Sequence, residues 1–365
     1  MGSAAPGAAQ FRRRVRNANR AYRQPLACFP MDKPFDLVGL GLNSRDYLFR
    51  VARWPAAGES LPAAAPIASF GGQVATACIA ARRFGFRVAY AGSIGGDAAG
   101  DAQRQRLARE GLDLAALHVV PAAASQQAWI FADGQGERTI IFHRPPELAY
   151  PPDLVTSAWV ASARILHLDG HDGPAAARAA ELARQSGVEV SVDLSNVYPP
   201  QRAFTDRLLA AADWLIVSQA FPSRYYGLDQ FSAVADPRPA LDRLYRDFHP
   251  RLAALTLGSH GVLALDAEGW HYVPGYQIPV TDTTGAGDVF HGGFLVGRLN
   301  AWPLEECLDF ACALAALNCT APGSQGHIAT GAEVAAFRRS QPRRHVHPAL
   351  SRGAGARDKN PSGLC

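Results

Sequence analysis

No stretch of this 365-residue chain holds the roughly 20 consecutive apolar residues that a bilayer-spanning helix needs, so no membrane partner is expected. The six cysteines (Cys28, Cys78, Cys307, Cys312, Cys319 and Cys365) show neither a C-x-x-C pair nor zinc-site spacing. Cys307, Cys312 and Cys319 share one Ala/Leu-rich stretch of helical character and read as buried thiols, which fits a reducing cytoplasm. Acid is missing altogether from residues 1–30, which carry arginine at 12, 13, 14, 16, 20 and 23. Such a start suits an organelle transit segment but lacks the apolar core of a secretory signal. Methionine is scarce, at 2 residues, and Met31 stands directly before the first strand-like run. Residues 1–31 are therefore a disordered basic arm or precede the natural start. Net charge is only +4, with much of the excess in the termini, so no nucleic-acid surface is implied. With 48% hydrophobic and 19% charged residues, the remainder is an ordinary globule long enough to bury a sizeable core.

What the chain does have is concentrated in residues 281–294, TDTTGAGDVFHGGF. Gly285 and Gly287 let the backbone bend sharply and let a ligand approach its N–H groups. Val289, Phe290, Phe294, Leu295 and Leu299 then recur at helical intervals, so a helix is expected to begin near Ala286. The first N–H groups of a helix lack internal partners and carry partial positive charge, which makes such a turn an anion site. Asp288 would stand beside the anion, placed to take a proton from an attacking hydroxyl.

DTTGAGDVFHGGF resembles the C-terminal signature of the PfkB (ribokinase-like) carbohydrate kinases. The resemblance implies that Gly285, Ala286 and Gly287 form an anion hole and that Asp288 is the catalytic base. It extends from about residue 35 to 335. FDLVGLGL (35–42) is a buried strand leading to Asp46, which in the family grips sugar hydroxyls. SFGGQVATACIAARRFG (69–85) looks like the N-terminal signature, so Gly71, Gly72, Gln73 and Thr76 are implied substrate contacts. Thr76 replaces a usual asparagine and Gln73 a frequent lysine, which argues against a standard ribose site. Asp97, in AYAGSIGGDAAG (89–100), reads as structural. Residues 126–143 form a hairpin around Asp133-Gly134 and Gly136. With strands after Asp46 it resembles the family's small β lid, expected over about residues 43–62 and 120–145. Arg138 on this hairpin is a candidate contact for an anionic group.

The middle of the chain alternates strands and helices, the pattern of a mostly parallel sheet covered on both faces. Asp169 closes the strand ARILHLDGHD (163–172) where the family often has a sugar-side acid. Ser218, Gln219, Ala220 and Phe221 replace the family's Asn-x-x-Glu, so magnesium would be held through nucleotide phosphates and water. LAALTLGSHGVLAL (252–265) resembles the nucleotide loop, with Thr256, Gly258 and Gly261 near ATP. Asn318 is the implied adenine contact, and Asp282 with the loop at 321–323 resembles a monovalent-cation (potassium) site. Residues 341–365 are expected to be a disordered tail.

The expected fold is a ribokinase-like α/β three-layer sandwich spanning residues 32–340, with a small β lid through which a homodimer could form. The expected activity is ATP-dependent phosphorylation of a small sugar, fructose-type or ribose-type. A nucleoside kinase of the same fold and a non-catalytic sugar or nucleotide sensor are the alternatives.

Overall fold

The computed structural model describes residues 33–133, 138–195, 202–227, 236–343, 347, 349 and 350. The basic arm, the Gly134 and Gly136 turn and the tail past residue 350 lie outside the described residues.

Thirteen strands, in chain order, are β1 (Leu37–Leu40), β2 (Ser44–Arg50), β3 (Ile67–Gly71), β4 (Val88–Gly95), β5 (Leu117–Val120), β6 (Gln127–Ala132), β7 (Arg138–His143), β8 (Ile165–Asp169), β9 (Glu189–Leu194), β10 (Trp214–Ser218), β11 (Leu252–Thr256), β12 (Val262–Asp266) and β13 (Trp270–Val273), counted among the described residues. Nine of them form the main sheet, in the order β13-β12-β11-β10-β9-β8-β1-β4-β5. Its pairs are parallel except β11 with β12 and β12 with β13. Strands such as LVGL of β1 and ILHLD of β8 are buried along their whole length. Near-continuous apolar runs of this kind are what a parallel sheet covered on both faces requires.

Helices supply that cover. The helices, again in chain order, are α1 (Gln73–Arg83), α2 (Ala98–Arg109), α3 (Ser157–Ala161), α4 (Gly173–Gln185), α5 (Arg202–Ala211), α6 (Phe221–Tyr226), α7 (Arg238–Phe248), α8 (Ala286–Leu299), α9 (Leu304–Asn318) and α10 (Gly331–Ser340). One apolar cluster joins α1, α8 and α9 to Leu37, Ile165, Ile216 and Ala254 of the sheet. A second joins α4, α5 and α7 to Val38, Leu166, Val192 and Leu215 on the opposite face. The molecule is thus a three-layer αβα sandwich. α2 starts on Asp97, which accepts from the Gly100 N–H at 2.8 Å and from the Ser125 N–H and hydroxyl, a structural cap.

From β1 the sheet continues to β4 on one side and to β8 on the other, so the strand order reverses there. In open α/β sheets the crevice beyond the carboxyl ends at such a reversal is where ligands bind. A second sheet, β3-β2-β6-β7, stands over that end. Residues 51–66, which include the last part of the first span expected for lid strands (43–62), carry no strand. Pro55, Pro62 and Pro66 remove the N–H groups a ladder would need there. β5 pairs with β4 in the main sheet instead.

The join between the two sheets is Gly71-Gly72. Gly72 has φ 101°, and a Cβ there would fall 2.3 Å from the Leu42 carbonyl oxygen. Gly187, by contrast, has φ 65° and nothing within 4 Å of a built Cβ. Gly187→Ala should therefore cost about 1 kcal/mol from backbone strain alone. Gly72→Ala adds a backbone collision and should cost roughly 3 kcal/mol or more, read as a drop in the urea midpoint.

Candidate active site

The turn before α8 brings the main groups together. Gly285 caps the helix in the left-handed conformation (φ 74°, ψ 1°), and a Cβ there would lie 2.3 Å from the Ser324 carbonyl oxygen. Only glycine fits. Gly287 is exposed, and a Cβ on it would meet nothing within 4 Å, so the space above the first helical turn is open. The N–H groups of Gly285, Gly287 and Asp288 have no acceptor among the described residues. That of Ala286 does: it donates to the Thr283 carbonyl at 3.2 Å. The expected trio of Gly285, Ala286 and Gly287 is therefore corrected, because a tight turn consumes the Ala286 hydrogen and leaves that of Asp288 in its place.

Two buried side chains hold this turn. Asp282 accepts from the Thr284 N–H (2.9 Å), the Thr284 hydroxyl (2.6 Å) and the Gly323 N–H (2.8 Å). Asn318 donates to the Thr284 and Ser324 carbonyls and accepts from the His327 N–H at 3.1 Å. Asn318 is wholly enclosed, and its amide is spent inside the protein, so it is not an adenine contact but a staple between two loops. Asp282 has both oxygens engaged within the protein.

Asp288 keeps an opening to the cleft while protein crowds its other sides. Burial pushes its carboxyl up to about 8, with Asp193, Asp46 and Asp169 adding repulsion and Arg138 of the second sheet drawing it back. Asp46 lies beneath Gly71, where a Cβ would come within 2.3 Å of its Oδ2, and it accepts from the Ser324 hydroxyl at 3.0 Å. Burial raises it too. Asp169 is fully enclosed, and its oxygens accept from the N–H groups of Leu42 (2.7 Å) and His171 (2.9 Å). It ties the ends of β1 and β8 together and is raised by burial, so it anchors the crevice and does not face it. Thr76 is likewise wholly enclosed, accepting from the Gln325 amide at 3.2 Å, and does not reach a substrate directly. Neither side chain has any exposed surface to offer a ligand.

Gln73 does line the crevice. Its Oε1 lies 3.1 Å from His171 Nε2, and its amide nitrogen donates toward Ser195 and Asp193. His171 thus enters the site through Gln73. Asp193 and His291 were not anticipated at all, although they stand at a strand end and one turn past Asp288.

At the neighbouring β11–β12 turn, Thr256 closes β11 and Gly258 (φ 57°) opens onto free space. Gly261 is different: a Cβ there would meet the Val273 carbonyl oxygen at 2.0 Å, so it serves close backbone packing. Phe221, fully buried, occupies the place of a metal-handling acid. No group of three or more His, Cys, Asp or Glu side chains among the described residues could hold a metal ion.

An α/β sandwich with a second sheet over its carboxyl edge, and an acid at an open helix N-terminus, define a ribokinase-like sugar kinase. Residues 40–330 match the pfkB family of carbohydrate kinases, and the chain belongs to that family. It is thus a phosphotransferase with an alcohol group as acceptor. A ribokinase of Haemophilus influenzae is 26% identical over 306 residues, covering 82% of this chain and 97% of that enzyme. An ATP-dependent ribose-1-phosphate kinase of Halopiger xanaduensis is 28% identical over 305 residues, covering 82% and 97%. Among solved structures, the ribokinase of Thermotoga maritima superposes with a TM-score of 0.69 at 22% identity, covering 84% of this chain and 99% of that one.

The raised acids tie stability to pH. A carboxyl whose folded value exceeds its unfolded one, about 3.9 for aspartate, adds stability below the unfolded value. That contribution is lost as pH rises through the folded value, for Asp288 between about 4 and about 8. Removing this charge should therefore help most in alkali. Asp288→Asn should raise the melting temperature of the ligand-free protein clearly at pH 9 and hardly at pH 4, as scanned by calorimetry.

Proposed function

We propose that this chain transfers the γ-phosphoryl group of ATP to a hydroxyl of a small carbohydrate, with Asp288 as the base. The observation that carries this is the partly exposed carboxylate of Asp288 beside three unspent N–H groups at Gly285, Gly287 and Asp288. A carboxyl raised to about 8 is about half ionised near pH 8 and has the proton affinity that abstraction from an alcohol needs. As the acceptor oxygen forms its bond to phosphorus, its proton passes to Asp288 and the bond to the ADP oxygen breaks. The three N–H groups stabilise charge building on the transferring phosphoryl oxygens, the largest contribution in reactions of this type. Arg138, from the second sheet, adds a positive charge on the same side.

ATP fits the free N–H groups and the open Gly258 turn. Magnesium, where bound, supplies further charge neutralisation on the phosphates and would be held through phosphate oxygens and water. Potassium at the 321–323 carbonyls belongs to the same proposal.

Asp46 and Gln73, with Gly71 and Gly72 shaping the approach, are the groups offered to the acceptor. An amide replaces an ammonium at 73, so this side favours an uncharged polyol, and a fructose-type ketose is the first candidate, with ribose next. A nucleoside acceptor is the rival, since a nucleoside kinase of Methanothermobacter thermautotrophicus is 24% identical over 317 residues. ADP release across sugars and nucleosides separates the two.

Asp288→Asn should keep ATP affinity by calorimetry and lose at least about two orders of magnitude in kcat. Near-normal turnover would refute the assignment.

The second sheet also supports a homodimer. Its edge strand β7 exposes Ile140, Ile141 and Phe142, each about half open to solvent, beside an unpaired backbone edge. Such an edge invites pairing. The parent should sediment as a dimer, and Ile141→Lys should shift it to monomer at equal concentration.

A further inference from the structure

Beneath Asp288 lies a buried pair that the reaction above leaves unused. His291 follows Asp288 by three residues on α8, so the two side chains lie on neighbouring positions of the same helix side. Its Nε2 is 3.4 Å from Asp193 Oδ1, and both side chains are almost wholly enclosed. Asp193 is in register with Asp169 across β8 and β9, which places it at the same carboxyl edge. The His167 ring lies 5.4 Å from that of His291, and His167 Nδ1 is 3.2 Å from the Ser191 hydroxyl. A polar stripe therefore runs under α8, on the sheet face that is otherwise apolar. Nδ1 of His291 and Nε2 of His167 have no hydrogen-bond partner among the described residues. Enclosing charges and unpaired nitrogens costs stability that apolar side chains of similar size would not.

Resting on Asp288 as the base, we propose that Asp193 and His291 are positioning residues for the reaction. The imidazole fixes a carboxylate beneath Asp288, and that fixed negative charge keeps Asp288 a strong enough acceptor for the hydroxyl proton. The pair itself exchanges no proton in the step.

The surroundings of each group support this division. Asp288 faces Asp193, Asp46 and Asp169, with Arg138 from the second sheet as the opposing charge. Asp193 faces His291 on α8, His167 on β8 and Gln73 on α1. Burial works to raise Asp193, yet the two histidines and Gln73 outweigh it and hold the carboxyl below its ordinary value. Asp46 and Asp169 are both raised by burial and give up their charge more readily. Asp193 is thus the lasting negative charge of the cluster. Of the carboxylates around Asp288 it also has the largest effect.

The test is the pH profile of kcat/KM on the full chain with saturating ATP and magnesium. The acceptor is D-fructose, or D-ribose where the parent prefers it. Activity rises with pH as Asp288 ionises. Asp193→Asn keeps the shape and removes the charge, so the acidic limb should move down by about one unit, roughly a tenfold change in proton affinity. KM for ATP should not change. His291→Gln leaves Asp193 easier to protonate, so its limb should move the same way while kcat falls. A limb at the parent's pH in either folded variant overturns the proposal. So does a folded variant with no turnover at any pH, since Asp288 remains in place to act. Should Asp193→Asn fail to fold, His291→Gln carries the test. The base assignment fails separately: it falls if Asp288→Asn turns over normally, whatever the limb does.

Discussion

A helix N-terminus can receive a phosphate only while its N–H groups are unspent, and this constraint organises the molecule. Asp282 and Asn318 meet it. By gripping Thr284, Gly323, Ser324 and His327, they hold two loops apart from the first turn of α8. Gly285 then passes against the Ser324 carbonyl with no side chain to obstruct it. Buried polar groups are costly unless satisfied, and these two are fully satisfied, so they fix one backbone arrangement.

Around that turn, acids converge from separate layers: Asp46 from the second sheet, Asp169 and Asp193 from the main sheet, Asp288 from α8. Their mutual repulsion and burial make the free protein pay in stability as pH rises. The same crowding raises the proton affinity of Asp288, the property on which its proposed role as base rests. Function and strain share a cause here. The second sheet supplies Arg138 as partial compensation.

Much of this was legible in the sequence. The strand–helix alternation announced the layered sandwich, and the run from Thr281 to Phe294 announced the turn and its acid. The failures were of one kind. Thr76, Asp169 and Asn318 occupy positions expected to meet ligands, yet all three are enclosed, because depth below a surface leaves no trace in local residue order. Ala286 sits in the right motif, but whether its hydrogen is already taken depends on turn geometry. His291 is one polar letter in a mostly apolar helix, and Asp193 stands near the end of a strand. Their meeting joins residues about a hundred positions apart, which pattern reading cannot see. The absence of strand over residues 51–66 was more readable, since three prolines stand there.

In the proposed reaction, three backbone hydrogens at the start of α8 receive the migrating phosphoryl group. Amide NMR on the protein with ADP, magnesium and aluminium fluoride, a mimic of the phosphoryl group in flight, reads those hydrogens one by one. The resonances of Gly285, Gly287 and Asp288 should move strongly downfield while that of Ala286 stays near its free position. Unmoved signals at all three, with ADP demonstrably bound, would rule out that role for the turn.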